Sequence, residues 1–107
     1  MNHRFSIYQI KESVAEKEPM KAFAGHDEVV EMFGRGPCLD DYECLCSVSI
    51  EGDNTENILE DLFYIFNCRR PEDFTGHSLS VGDIVELDEE FWYCDSFGWK
   101  QIENNKQ

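Results

Sequence analysis

The stretch Leu59–Asn67 constrains the fold of this chain most strongly, because its apolar residues recur with the period of an α-helix. Four large side chains fall at positions i, i+3, i+4 and i+7, namely Leu59, Leu62, Phe63 and Phe66. Glu56, Glu60 and Asp61 would then lie on the opposite side. The pattern predicts an amphipathic helix that buries its apolar face against the rest of the chain.

Residues on both sides of this stretch indicate where the helix begins and ends. Asp53 is placed to cap the first turn, with Glu56 three residues later as in a capping box. Arg69 and Arg70 add positive charge after the last turn, and Pro71 stops the helix. The helix is therefore expected between Asp53 and Pro71.

Shorter patterns predict the other elements. Apolar and β-branched residues predict four strands, which are Arg4–Ile10, Tyr42–Ile50, Ile84–Leu87 and Phe91–Phe97. Met20–Ala24 is a further short strand in this prediction, and the polar segment Lys11–Pro19 is a loop. His26–Phe33 has the pattern of a two-turn helix, which Gly34 would end.

The order of these elements predicts an α+β fold in one domain, residues 1–107. We expect a mostly antiparallel sheet with two helices packed on one face and a C-terminal strand meander. A chain of 107 residues is long enough to bury a core without disulfides or metal ions.

The strongest feature of the composition is a formal net charge of −14, from 23 acidic and 9 basic residues. DNA, RNA and anionic membranes would repel such a chain, so direct binding to any of them is not expected. A protein partner with a basic surface is the interaction that the charge favours. The alternative is that the charge serves solubility alone.

The five cysteines, an odd number, do not suggest a disulfide framework. Cys44 and Cys46 alternate in the strand Tyr42–Ile50 and would share a face with Val48. Structural zinc sites usually combine two such pairs, and only one is present, even with other candidates counted: Cys38, Cys68, Cys94, His26 and His77. We expect buried, reduced thiols, no metal, no cofactor and, without an apolar signal segment, a cytoplasmic location.

A nucleophilic triad could be drawn from Ser96 or a cysteine with His77 and Asp95. Such triads are recognised by geometry, which spacing alone does not supply. No nucleophile elbow or phosphate-binding loop accompanies these residues. The chain is therefore predicted not to be an enzyme.

Four segments in the second half of the chain form a pattern together, and they are Leu59–Asn67, Arg70–Phe74, Gly76–Val85 and Tyr93–Lys100. This pattern resembles the C-terminal signature of the YodL-like domain family of bacteria. Phe5–Ile10 and Tyr42–Leu45 fit the opening and middle strands of the family. The resemblance implies no established activity and no residue roles. It implies a context, because such domains occur in proteins of conjugative elements and phages.

These observations lead to two functional hypotheses. The first is an anti-defence inhibitor, of the anti-CRISPR or antirestriction type, that occupies a basic nucleic-acid-binding surface of a host CRISPR or restriction nuclease. Its partner-binding acids would be those of the main helix and its entry turn, Asp53, Glu56, Glu60 and Asp61. The alternative is an adaptor domain that docks through an aromatic patch around Trp92 and Trp99.

Overall fold

A computed structural model describes residues 2–18, 25–34, 39–68, 76, 79–95 and 98–102. The elements follow in the order β1 (Asn2–Ile10), α1 (Glu12–Lys17), α2 (His26–Phe33), β2 (Tyr42–Glu51), α3 (Thr55–Cys68), β3 (Ile84–Leu87), β4 (Glu90–Asp95) and β5 (Gly98–Ile102). A short 3-10 turn, Leu39–Asp41, precedes β2.

The described strands form one five-stranded antiparallel sheet in the order β2-β1-β3-β4-β5. Strand β1 pairs with β2 on one side and with β3 on the other, so the first strand of the chain lies inside the sheet. Strands β3, β4 and β5 follow one another as a meander. The predicted α+β class, with its antiparallel sheet and C-terminal meander, is confirmed.

Helix α3 covers one face of the sheet, which we call the helical face. Its buried residues pack with side chains of β1 and β3 in one hydrophobic cluster made of Phe5, Ile7, Ile58, Leu59, Leu62, Phe66, Leu79, Val85 and Leu87. Three of the four predicted core positions of the helix are confirmed. Phe63 is the exception, because it remains 38% exposed at the edge of the helical stripe, whereas Ile58 is fully buried.

The opposite face of the sheet carries a second, smaller cluster, made of Leu39, Tyr42, Ile84, Phe91 and Tyr93. The sequence predicts that both helices pack on one face of the sheet. In the structure, α3 lies on the helical face, whereas α2 begins beside this second cluster. The His26 ring lies edge-on to Tyr93, with 5.8 Å between the ring centroids, and the backbone N–H of His26 donates to the Asp95 carboxylate at 3.3 Å.

A β-bulge in β2 changes which face of the sheet the alternating side chains of this strand point to. Ile7 of β1 pairs with Cys46, but the next residue, Tyr8, pairs with Cys44, so Leu45 is one residue too many in the ladder. Cys46 therefore lies on the helical face and Cys44 on the opposite one. The prediction that Tyr42, Cys44, Cys46, Val48 and Ile50 share a single face is wrong for this reason.

The β3–β4 hairpin turns through Asp88 and Glu89, which have φ angles of 51° and 72°. Two successive positive φ values are typical of a type I′ turn, whose twist suits a two-residue hairpin. The Asp88 carboxylate binds the His3 ring and accepts the Arg4 N–H at 3.3 Å. These contacts attach the turn to β1.

Two local predictions are wrong, and one cannot be compared. The interval predicted as a loop, Lys11–Pro19, contains α1, which has no buried residue and so leaves no apolar period in the sequence. The cap of α3 is Asn54, not Asp53, because the Asn54 Oδ1 accepts the Asn57 N–H at 2.9 Å. The strand predicted at Met20–Ala24 lies outside the described residues.

The prediction for α2 is confirmed at both ends. The helix spans His26–Phe33, and Gly34 ends it in the left-handed conformation, with φ of 75°. In the described segments, no helix is both long enough and apolar enough to cross a membrane.

Candidate functional site

A groove runs between α3 and the β4–β5 hairpin on the helical face. It consists of two adjoining cavities of about 470 and 250 Å³, which share Glu60, Gly98 and Trp99. The larger cavity is also lined by Thr55, Glu56, Leu59 and Trp92, and the smaller one by Phe63, Val81, Cys94 and Asp95. We call these lining residues together the acid-aromatic groove.

Helical spacing explains the α3 wall of the groove. Glu56, Glu60 and Phe63 lie at i, i+4 and i+7, so they form a stripe beside the buried one. Glutamates four residues apart repel each other and destabilise a helix by about 0.2–0.5 kcal/mol. Neither glutamate side chain has a hydrogen bond or a basic partner among the residues that the structure describes.

Strand register explains the opposite wall. Trp99 of β5 pairs with Cys94 of β4, and Gln101 pairs with Trp92. Because side chains alternate along a strand, Trp92 and Trp99 are diagonal neighbours on one face of the hairpin. Both indoles pack against the core beneath α3 and stay partly exposed.

The negative charge of the groove comes from its α3 wall, where Glu56 and Glu60 lie, and no described lining residue is a lysine or arginine. Asp95 of β4 borders the smaller cavity, but its carboxylate accepts the backbone N–H of His26 beside the second cluster. The pKa of the Cys94 thiol is raised to about 12, first by burial and then by the charges of nearby carboxylates, Asp83, Asp95 and Glu60. The same potential that disfavours a thiolate would favour a cation.

The middle of the groove is open. Gly98, which belongs to both cavities, has a φ of 123°, a conformation that other residues rarely adopt. A Cβ atom placed there would have no neighbour within 4 Å among the residues that the structure describes. The Trp92 Nε1 beneath the groove is shielded from solvent and has no acceptor in the described part of the chain.

The structure brings four of the six predicted partner-binding residues into this groove. Glu56 and Glu60 come from the acidic hypothesis, whereas Trp92 and Trp99 come from the aromatic one. The two alternatives therefore refer to one surface. Asp53 and Asp61 are exposed but do not line the groove.

Sequence reasoning missed several groove residues. Phe63 was assigned to the core because it matches the helical period as well as Leu62 does. Asp95 is predicted only as a triad candidate and Cys94 only as a zinc candidate, and no sequence pattern singles out Gly98. The available signal on α3 is the spacing of Glu56, Glu60 and Phe63 at i, i+4 and i+7, which places the aromatic residue in line with the two acids.

The described residues that were candidates for catalysis or metal binding do not form a cluster. The bulge separates Cys44 from Cys46, so the one cysteine pair cannot bind a single ion from one face. Within the described ranges, no group of three potential ligands is arranged around a metal position. Ser96 and His77 lie outside those ranges, and the expectation of a non-enzyme stays a prediction.

A second polar cluster has a structural role. Asp83 is 1% exposed, and its carboxylate accepts hydrogen bonds from Gln9 Nε2 at 3.0 Å and from the Ser80 N–H at 2.9 Å. The Tyr42 hydroxyl donates to the Gly82 carbonyl at 2.6 Å. The hydrogen bonds to Asp83 compensate for the burial of its carboxylate and stabilise the turn before β3, and the buried carboxylate is closed to a ligand.

Comparison with known proteins identifies a family but no individual relative. No curated protein and no solved structure shows a significant match to the chain. The model of the YodL-like domain matches residues 4–104, nearly the whole chain. The match includes most of β1 and all of β2, as well as the four segments of the second half that carry the resemblance. The chain belongs to the YodL-like domain family.

Proposed function

We propose that this chain is a small non-enzymatic anti-defence inhibitor, of the anti-CRISPR or antirestriction type. It would occupy a basic nucleic-acid-binding surface of a host nuclease. The observation that supports this proposal is the acid-aromatic groove, with two glutamates on its α3 wall and no basic lining residue among those described. The mobile-element context of YodL-like domains also supports it.

Electrostatics supplies the mechanism. A net charge of −14 on a small domain steers it towards a basic cleft and raises the association rate. Nucleic acid binds such a cleft through phosphate contacts that weaken steeply with salt. The protein and the nucleic acid would therefore compete for the cleft, in the cytoplasm, without direct binding between them.

Charge reversal tests whether the groove is the binding site. The variant Glu56→Lys/Glu60→Lys changes the groove, and Asp53→Lys/Asp61→Lys makes the same charge change on exposed residues of the same helix and its entry turn. Both variants are compared with the parent for inhibition of DNA cleavage by a guide-RNA nuclease and by a restriction enzyme. We expect the groove variant to lose inhibition and the control to keep most of it.

Salt provides the second arm of this experiment. Screening lengths fall from about 10 Å at 0.1 M to about 3 Å at 1 M, so electrostatic inhibition should weaken over this range. Circular dichroism spectra of both variants establish that they are folded. A folded groove variant that inhibits as well as the parent would contradict the assignment of this surface.

One observation favours the second candidate, an adaptor domain. Phe63 is 38% exposed and the neighbouring Tyr64 is 56% exposed, so apolar surface continues from the groove along α3. An adaptor that docks by these aromatic side chains would retain its partner at high salt. Salt-resistant capture of a partner, lost on Trp99→Ala but not on glutamate reversal, would support this candidate over inhibition.

A further inference from the structure

The groove combines two features that single charges on the surface lack. Glu56 and Glu60 present carboxylates one helical turn apart on the same wall. The indole of Trp99 lies on the opposite wall and borders both cavities, as Glu60 does. An aromatic face beside unpaired carboxylates is a site for a cation that can both stack and donate hydrogen bonds.

Among protein side chains, arginine fits this description better than lysine. Its guanidinium group is planar, stacks on indole rings and offers several N–H donors in a fixed fork. Lysine has a compact, strongly hydrated charge that gains less from an aromatic wall. The open space before Gly98, where a Cβ atom would meet no described residue within 4 Å, lies where the two cavities join.

We propose that the acid-aromatic groove is a recognition site for an arginine side chain in a basic segment of the partner. The guanidinium group stacks on Trp99 and donates hydrogen bonds to Glu60, and Glu56 and Asp95 add negative potential around it. This inference rests on the proposed function, since it names the chemistry by which the same groove binds a basic surface. It predicts selectivity between cations of equal charge, which bulk electrostatics does not.

The chain provides its own probe for this test. Its two tryptophans, Trp92 and Trp99, both line the groove, so intrinsic tryptophan fluorescence reports on this site alone. We would titrate the protein with penta-arginine, penta-lysine and penta-citrulline peptides at 0.15 M salt. Citrulline is nearly isosteric with arginine but neutral. We expect a saturable fluorescence change with penta-arginine, about tenfold weaker affinity for penta-lysine and no response to penta-citrulline.

Matched variants separate the groove from the overall charge. Glu60→Gln removes one carboxylate from the groove, and Glu28→Gln removes one from the exposed surface of α2. We expect Glu60→Gln to weaken penta-arginine binding about tenfold and to abolish the preference over penta-lysine. Glu28→Gln should retain both the affinity and the preference within about twofold. The native melting temperature of each variant confirms that its fold is intact.

The outcomes distinguish this inference from the proposed function. Equal affinities for penta-arginine and penta-lysine, or equal losses in Glu60→Gln and Glu28→Gln, would overturn the arginine site and leave general charge-driven docking standing. Failure of both cationic peptides to bind even at low salt would overturn the proposed function together with it. Arginine selectivity that depends on Glu60, without nuclease inhibition, would support the inference and move the partner to another class of basic protein.

Discussion

Leu62 and Phe63 are adjacent in α3 and equally apolar, yet the structure assigns them different energetic roles. Leu62 is fully buried in the main cluster, whereas Phe63 is 38% exposed at the groove. Leu62→Ala leaves a closed cavity, and such changes cost about 2–5 kcal/mol. We take about 3 kcal/mol as the expected loss in the free energy of unfolding.

The expected change in melting temperature follows from the size of the domain. The unfolding entropy is about 2.1 cal/mol/K per residue. For a chain of 107 residues, each kcal/mol lost from the free energy of unfolding therefore lowers the melting temperature by about 4 °C. Leu62→Ala should therefore melt about 13 °C below the parent. Phe63→Ala removes a partly exposed ring and opens to solvent without a closed cavity, so we expect about 1–2 kcal/mol and about 4–8 °C.

Thermal denaturation followed by circular dichroism, with calorimetry on the same samples, measures both variants at one pH. The order of the two melting temperatures is the informative result. If Phe63→Ala melted at or below the temperature of Leu62→Ala, the assignment of Phe63 to the edge of the groove would be wrong. An unchanged melting temperature for Leu62→Ala would refute the placement of α3 on the sheet.

Three further predictions concern the ends and edges of the fold. The pKa of Asp88 is lowered from 3.8, first by its hydrogen bond with His3, so the carboxylate should stabilise the fold fully above pH 3.8 and lose this effect as the pH falls through the lowered pKa. Acid unfolding curves of Asp88→Asn should lack this pH-dependent loss of stability. Cys44 is exposed, whereas burial and neighbouring acids raise the pKa of Cys94, so a thiol reagent under native conditions should modify Cys44 and leave Cys94 intact until unfolding. Asn54→Ala should lower stability by about 1 kcal/mol through loss of the α3 cap, measured by urea denaturation, and an unchanged midpoint would exclude that capping role.

Sequence patterns predicted those elements that have a strong local signal. Helix α2 has an apolar period and a glycine that adopts the left-handed conformation at its end. Helix α1 has neither a buried residue nor a side-chain cap, so only its charges could have indicated it. The face of β2 could not be predicted, because the bulge at Leu45 is defined by pairing with β1 and the alternation of residues conceals it.

The candidate site shows the same division between local and tertiary information. The sequence predicts each half of the groove separately, the acids from their place on the polar side of the helix and the tryptophans as the centre of an aromatic patch. Their union depends on how α3 packs across the sheet, which brings Glu60 and Trp99 to the same cavities although they are far apart in the sequence. Sequence spacing within a single element contains no information about that contact.

The bulge at Leu45 also has a consequence for how β2 can evolve. Residues before it contribute to the cluster away from α3, as Tyr42 does, and residues after it contribute to the cluster beneath α3, as Cys46 does. Substitutions in β2 change one cluster at a time. A single-residue insertion or deletion on either side would instead turn one part of the strand over and exchange its inward and outward side chains. Length variation in this protein is therefore expected in its connections, while β2 tolerates new side chains but not new spacing.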